Sequence, residues 1–383
     1  MPTANVNNIS INYSLEGSGQ GDLLVFINGL ADDLTTWDFN VPAFLEAGFR
    51  VLRYDNRGIG KTSKPSGPYT AELLADDLHA LLLELQIGSF HLLGVSMGGM
   101  IAQSYALKYP NSASSGPRLL SLSLCCTYAQ PTTFCSRMFA LWEDMAQRMS
   151  VQDVMRDVTV WAFTVPFFRQ RTAELEEFEA AMAQLDMSTE AYLSQLNVIQ
   201  QFDTTGRLQE LKGAGKGLGG LKGRQVMVLA GRTDILIPVV LSQELSQSVE
   251  GSQFLTCKGG HACLVSYNII IAKVAYMRLI DDSGSFPTIS TKSPLASSTS
   301  IERRSHDLTC SPLPQRHARH CSVPCTRASR HRTRRPPSLP QHATNIHLLL
   351  LLLLHRLSPR RLLGLLAVQI RLHPILRCPR VPL

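Results

Sequence analysis

The sequence lacks the features of a secreted, metal-binding or membrane-spanning chain. Residues 1–8 contain neither a basic segment nor an apolar one, so they do not form a secretory signal. The leucine run 348–354 has seven residues, far fewer than the roughly 20 that cross a bilayer. The five cysteines before residue 285 follow no metal or disulfide spacing, and residues 381–383 are not a peroxisomal address. These absences predict a cytoplasmic protein without a membrane anchor.

Acidic residues are almost missing from the C-terminal quarter. Residues 285–383 hold sixteen Lys and Arg but two acidic residues, whereas residues 1–284 hold 21 and 28. The formal net charge of +7 is therefore a property of the tail, which also carries twelve of the 21 prolines. We expect this basic Pro/Ser/Arg/Leu tail to be a disordered appendage, or translation past the true end of the reading frame. A basic arm for RNA or a membrane surface and a membrane anchor remain alternatives.

Residues 1–284 are mildly acidic and have enough apolar content for one large core. Nothing in them suggests nucleic-acid binding. Short apolar runs, typical of strands, alternate with helical periods that start at Ala71 and Met97. The predicted strands are 9–15, 23–27, 49–54, 90–95, 119–125, 224–229 and 254–256. This alternation predicts an α/β fold with a mostly parallel central sheet flanked by helices.

The alternation stops between residues 131 and 211, where only helical periods occur. We expect this block to be a helical lid inserted between two parts of one core, 1–130 and 212–284. Within the second part, 213–223 is expected to be a flexible link, and a final apolar helix is expected over 263–280.

The pattern Gly-x-Ser-x-Gly occurs at 94–98, between a predicted buried strand and a predicted helix. That context strengthens a weak five-residue match, because a tight turn there exposes the serine hydroxyl at the carboxyl edge of the sheet. Glycine is expected at 94 and 98 because a β-carbon at either position would collide with neighbouring backbone. The helix N-terminus adds partial positive charge beside a developing anion. Ser96 is therefore the candidate nucleophile.

A serine hydroxyl requires a general base. Only His79, His91 and His261 precede the tail. His79 lies in the middle of a predicted helix, and His91 begins the Ser96 strand at the wrong end. His261 follows the last predicted strand and the turn at 259–260, at the same sheet edge as Ser96. We predict that His261 is the base.

The base in turn requires a carboxylate that holds its tautomer. Asp234 follows a predicted strand and precedes His261 by 27 residues, so the chain order is Ser, Asp, His. The preceding strand ends in 125–128, which contains no acid. Asp234 is therefore predicted to complete the triad.

The oxyanion of the tetrahedral intermediate requires two hydrogen-bond donors. We predict the backbone N–H groups of Met97, which follows the nucleophile, and of Leu30, in the loop after the strand 23–27. Asn28 in that loop is a candidate for shaping it or contacting substrate. Lid aromatics are candidates for an apolar pocket, although lid packing explains them equally well: Trp161, Phe163, Phe167 and Phe168. This chemistry requires no metal and no organic cofactor.

Taken together, these segments resemble the α/β-hydrolase superfamily over roughly 1–284. The resemblance rests on 27–30 with Trp37 after it, 54–62, 94–99, 231–234 and 260–261. In 54–62, Asp55 and Arg57 are expected to brace the loop rather than take part in catalysis. The chain has Asn28 where most members have histidine. The segments 53–55, 64–70 and 94–103 look like those of 3-oxoadipate enol-lactone hydrolases.

The resemblance and the triad together predict a hydrolase that cleaves a carboxylic ester or lactone of a small molecule through an acyl-enzyme. Alternatives are a C–C bond hydrolase or an acyltransferase on the same triad, a ligand-binding protein without catalysis, and an interaction protein that acts through its tail. A serine at position 96 counts against dehalogenase and epoxide hydrolase chemistry, which in this fold uses aspartate. The sequence leaves the substrate and the oligomeric state open.

The composition boundary generates a first prediction. A chain limited to residues 1–284 should be soluble, folded and active, because the acidic part contains every predicted strand and every candidate site residue. Circular dichroism and hydrolysis of p-nitrophenyl acetate, compared with the full chain, test this. Insolubility or lost activity would show that residues 285–383 belong to the folded structure.

Overall fold

The computed structural model describes residues 1–109, 116–211 and 226–266, all within the first of two units, Met1–Lys292. Its centre is one sheet of eight strands in the order β1-β2-β4-β3-β5-β6-β7-β8. The strands are β1 Thr3–Val6, β2 Ile9–Glu16, β3 Leu23–Ile27, β4 Arg50–Tyr54, β5 Ser89–Val95, β6 Arg118–Cys125, β7 Val226–Gly231 and β8 Gln253–Cys257. This sheet confirms the predicted α/β fold.

Five of the seven strand pairings are parallel, from β4–β3 through to β7–β8. The antiparallel pairs β1–β2 and β2–β4 lie at one edge. Every residue of β3 and β7 is buried, as expected of strands covered by helices on both faces. Strand β1 was not predicted, because its four residues, Thr-Ala-Asn-Val, are mostly polar and pair only with β2.

Ten α-helices are described: α1 Val41–Glu46, α2 Ala71–Glu84, α3 Met97–Lys108, α4 Thr133–Ala146, α5 Val151–Ala162, α6 Val165–Gln170, α7 Thr172–Ala183, α8 Thr189–Gln201, α9 Val239–Ser248 and α10 Cys263–Ser266. Helix α2 begins where predicted, since the Thr70 side chain accepts a hydrogen bond from the N–H of Leu73. Helices α4 to α8 all lie between β6 and β7, which agrees with the predicted helical insertion. Helix α9 was not predicted.

Several expectations lie outside the described residues. These are the link at 213–223, all but the first turn of the predicted helix 263–280, and the tail at 285–383. Over the ranges that are described, no helix has both the length and the apolar character that a membrane span requires.

A network of buried polar groups fixes the loop after β4. The Asp55 carboxylate accepts hydrogen bonds from the N–H of Leu34 at 2.8 Å, from the Asn12 amide at 2.7 Å and from the N–H of Lys61 at 3.0 Å. Arg57 donates two hydrogen bonds to Asp77 on α2, at 2.8 and 2.6 Å. Both members of this ion pair are buried, so each compensates the other's loss of water.

This pair generates a stability prediction. Asp77→Ala should lower the free energy of unfolding by about 3–5 kcal/mol, because it leaves the buried Arg57 guanidinium unpaired. Glu174→Ala, which breaks an exposed pair with Arg171, should leave the free energy of unfolding almost unchanged, because water screens that pair. Urea unfolding of both variants measures the difference. Equal costs would show that burial does not set the strength of the Arg57–Asp77 pair.

Candidate active site

Ser96 lies at the tight turn that joins β5 to α3. Its backbone has φ 55° and ψ −120°, a conformation that a non-glycine residue adopts only under strain. The turn is possible because the backbone segments around Gly94 and Gly98 approach so closely that no side chain would fit between them. A β-carbon on Gly94 would lie 2.1 Å from the Gly98 carbonyl oxygen, and one on Gly98 would lie 2.3 Å from the Ile27 carbonyl oxygen. The glycines therefore have the steric role expected of them.

His261 and Asp234 form a buried hydrogen-bonded pair. His261 Nδ1 lies 2.9 Å from Asp234 Oδ2, and the Asp234 side chain has no exposed surface. The other carboxylate oxygen, Oδ1, accepts hydrogen bonds from the N–H groups of Leu236 at 3.1 Å and Ile237 at 2.9 Å. The turn after β7 thus fixes the carboxylate. Because Nδ1 faces Asp234, Nε2 is the ring nitrogen left to exchange a proton with a substrate.

Hydrogen bonds tie the histidine loop to its neighbours. Thr233 donates its N–H and its hydroxyl to the Gly259 carbonyl, at 3.0 and 2.9 Å. Ala262 donates its N–H to the carbonyl of Ala162, the last residue of α5, at 3.0 Å. The inserted helices therefore contact the histidine loop directly, and a movement of α5 would be transmitted to His261.

Ser96, His261 and Leu30 line one cavity of about 100 Å³, together with Phe163. Most of its walls are apolar or aromatic side chains, and they include Trp37, Met100, Phe139, Trp142, Met155, Val158, Phe178, Ile199, Leu236 and Ile237. The core contributes the hydroxyl, the imidazole and the loop that holds Leu30. The inserted segment and the core contribute similar shares of the apolar wall, which suits a small organic substrate.

The remaining predicted residues lie around this cavity rather than in its lining. Met97, which follows the nucleophile, is buried at the first position of α3. Asn28 is fully buried; its amide accepts a hydrogen bond from Trp37 Nε1 and donates to the carbonyls of Asp32 at 3.0 Å and Tyr54 at 3.3 Å. Asn28 therefore holds the shape of the loop.

The lid aromatics are placed differently from one another. Trp161 donates a hydrogen bond from Nε1 to the Asp157 carboxylate at 3.2 Å and does not line the cavity that holds Ser96. Phe167 is buried and stacks on Phe163, with ring centroids 4.6 Å apart, so it supports the wall from behind. Phe168 lines a second cavity, described below.

The two other histidines outside the tail have structural partners. His79 Nδ1 lies 3.2 Å from the Tyr105 hydroxyl, and its ring stacks on Tyr109. His91 is buried with Nδ1 2.8 Å from the Ser121 hydroxyl. Burial lowers the pKa of both imidazoles.

Two residues at the site were not singled out from the sequence. Asp32 lines the cavity, and removal from water raises the pKa of its carboxyl to about 7. Gln195, on α8, accepts a hydrogen bond from the Ala31 N–H at 3.0 Å and donates to the Arg57 carbonyl at 2.8 Å. It fixes Ala31, whose φ is 57°, next to Leu30. Asp32 lies in the same loop as Leu30, and this proximity in the sequence is the only signal that could have pointed to it. Gln195 contacts that loop at Ala31 from a distant part of the sequence.

One group of described residues has the composition of a metal site. Ligand atoms of Cys126, Asp234 and His261 lie within 4.8 Å of one another. The hydrogen bond with Cys263, 3.5 Å between sulfurs, lowers the pKa of the Cys126 thiol, but burial and the nearby Asp234 charge outweigh it and raise the pKa overall. His261 and Asp234 are hydrogen-bonded to each other at 2.9 Å, so these two groups have partners without a metal ion.

A second cavity of about 730 Å³ lies on the other side of Phe163, which lines both. Its lining includes the exposed side chains of Val160, Val165 and Ile235. It also includes Arg169, Arg232 and Lys258, and none of its lining residues is acidic. We refer to it as the outer groove.

The chain resembles known proteins in its family profile, in its sequence and in its structure. Residues 22–264 match the profile of a family described as alpha/beta hydrolase fold. One sequence relative is 3-oxoadipate enol-lactonase 2 of Acinetobacter baylyi, 26% identical over 263 residues, which are 68% of this chain and 89% of the relative. Another is named "Putative non-heme bromoperoxidase BpoC", from Mycobacterium tuberculosis; it is 42% identical over 106 residues. That match spans 27% of this chain and only 40% of the relative.

A similar solved structure is the enol-lactonase from Burkholderia xenovorans. It superposes with a TM-score of 0.63 and 24% identity, over 73% of this chain and all of that one. At this level of identity the likeness shows a shared fold.

The turn at Ser96 generates a third prediction. Gly98→Ala should destabilise the protein or shift the turn, because its β-carbon would stand 2.3 Å from a backbone oxygen that cannot move aside. Gly206→Ala is the matched control, since a β-carbon there meets nothing within 4 Å. Thermal unfolding should separate the two, with a clear loss for Gly98→Ala and a change within about 0.5 kcal/mol for Gly206→Ala. A neutral Gly98→Ala would contradict the described turn.

Proposed function

Because this chain belongs to the α/β-hydrolase fold family, we propose that it is a serine hydrolase that cleaves a carboxylic ester or lactone of a small molecule. The observation that supports this most directly is the convergence of two groups on one apolar cavity. One is the Ser96 hydroxyl, on a strained turn, and the other is His261, paired with a buried Asp234. Such a constellation is the machinery of nucleophilic acyl transfer.

In the first half of the proposed reaction, Ser96 Oγ attacks the carbonyl carbon of the substrate. The hydroxyl proton passes to His261 Nε2, and Asp234 stabilises the imidazolium that forms. The tetrahedral oxyanion accepts hydrogen bonds from the N–H groups of Met97 and Leu30. When the carbon–oxygen bond breaks, the alcohol leaves with the proton from His261, and the acyl group remains on Ser96.

In the second half, His261 takes a proton from water, and the resulting hydroxide attacks the acyl-enzyme. The acid is released and Ser96 regains its proton. For a lactone, the leaving alcohol and the acyl group are parts of one molecule. The similarity to an enol-lactonase over 89% of that protein's length supports including lactones in the substrate class.

The arrangement of Ser96, His261 and Asp234 supports catalysis over ligand binding without catalysis. A ligand-binding protein has no need for a serine at φ 55°, which carries a conformational cost, beside a histidine fixed by a buried carboxylate. An acyltransferase or a C–C bond hydrolase would use the same three residues. Substrate therefore decides between these reactions, and a panel of lactones, aryl esters and thioesters tests it.

A pair of serine variants tests the nucleophile. Ser96→Ala should reduce kcat for p-nitrophenyl acetate by at least about a thousandfold and abolish labelling by a fluorophosphonate probe, because the variant lacks the hydroxyl that attacks. Ser104→Ala, a buried serine on the same helix, is the matched control and should keep both activities. Equal, slow hydrolysis by wild type and Ser96→Ala, with Ser96 unlabelled, would overturn the proposed function.

A further inference from the structure

The proposed mechanism makes no use of Asp32, although this carboxyl lies beside the nucleophile. A β-carbon on Gly29 would be 3.0 Å from Asp32 Oδ2 and 3.5 Å from the β-carbon of Ser96. Asp32 Oδ2 and the Ser96 β-carbon thus both lie close to the same glycine. Asp32 also accepts a hydrogen bond from the Gly29 N–H. Its carboxyl is therefore held at the start of the loop that carries Leu30.

The charge balance of the cavity makes this position unusual. Among the residues that line it, Asp32 and His261 are the only titratable ones, and none is lysine or arginine. An ionised Asp32 therefore has no compensating cation in the lining while His261 is neutral, which is the form needed for the proposed base. A carboxylate among apolar side chains, without a cationic partner in the lining, favours a ligand that brings a positive charge.

The walls around Asp32 complete the chemistry of such a site. Five aromatic side chains line the same cavity: Trp37, Phe139, Trp142, Phe163 and Phe178. Aromatic rings stabilise an ammonium group through the negative potential of their faces, and most strongly where water is excluded. One carboxylate among aromatic side chains is the combination that recognises an alkylammonium group.

We propose that Asp32 is a substrate-binding residue of the Ser96 site and that it selects esters with an ammonium group close to the scissile carbonyl. This inference rests on the proposed function, because it names the substrate class of that same site. It distinguishes the cavity from the outer groove, whose three basic residues would instead favour an anionic group.

The protonation state of Asp32 should make the selectivity for a cationic substrate depend on pH. The pKa of Asp32 is raised to about 7: removal from water, the largest effect, and the neighbouring Asp33 charge raise it, while the His261 charge and the Gly29 N–H lower it. Asp33 and His261 are the charged groups that face it. Below its pKa Asp32 is neutral and offers a cation no charge; above its pKa it is ionised. Selectivity for a cation should therefore appear as pH rises through this value.

Three acetate esters of fixed charge test the proposal on the full chain. They are trimethylammonioethyl acetate, its uncharged tert-butyl isostere, and sulfonatoethyl acetate. The quantity measured is kcat/KM for each charged ester divided by that for the uncharged one, from about pH 5.5 to about pH 8.5. Any effect of pH on the shared step of acyl transfer applies to all three esters alike, so it cancels in the ratio.

In wild type, the ratio for the cationic ester should rise by about tenfold or more over this range, and the ratio for the anionic ester should fall. Asp32→Asn, which keeps the shape without the charge, should make both ratios independent of pH. Asp33→Asn is the matched control, because asparagine also accepts the Thr35 N–H bond that Asp33 accepts at 2.8 Å. It should keep the rise but move its midpoint to lower pH, since a charge that raises the pKa of Asp32 is lost.

A ratio that does not change with pH in wild type would overturn the proposal without any variant. So would a rise that persists in Asp32→Asn, or a preference for the anionic ester at high pH. In each of these cases the proposed function survives, provided that hydrolysis of the uncharged ester is lost in Ser96→Ala. Retention of that hydrolysis in Ser96→Ala would instead overturn the proposed function itself.

Discussion

The site depends on one close approach of backbone to backbone, at the turn after β5. Gly94 and Gly98 leave no side chain between the strand, the helix and the end of β3, and the chain can therefore reverse within a few residues. That reversal forces Ser96 to a positive φ and puts it at the start of a twelve-residue helix. The buried sheet on both sides keeps the strained conformation in place, since relaxing it would separate well-packed strands.

The same sheet edge gathers the other groups. In a parallel sheet the loops after each strand emerge on one side, so the loops after β3, β5, β7 and β8 meet there. Three of these loops carry Ser96, Asp234 and His261, and the fourth carries Leu30 and Asp32. The inserted helices then cover part of this edge with apolar side chains, and such low-dielectric surroundings strengthen electrostatic interactions in the cavity. The shift in the pKa of Asp32 and the proposed charge selectivity both follow from that cover.

The parts predicted from the sequence are those with local determinants. Buried strands appear as apolar runs, helix α2 has its N-cap at Thr70, and the turn at Ser96 has its two glycines. Strand β1 and helix α9 were missed because their patterns are short and mixed in polarity. The neighbourhoods of Asp32 and Gln195 could not be predicted, since they depend on how α8 and the loop after β3 pack against each other. Asn28 illustrates the same limit: only the structure shows that its amide holds Trp37 and two carbonyls.

In the proposed mechanism, Ser96 carries the acyl group between the two halves of the reaction. Mass spectrometry of the peptide that contains Ser96, after rapid acid quench of a reaction with p-nitrophenyl acetate, tests it directly. We expect an acetylated Ser96 in wild type, and the acetyl-enzyme should form and decay at rates consistent with turnover. Steady release of product with Ser96 unmodified throughout would contradict it.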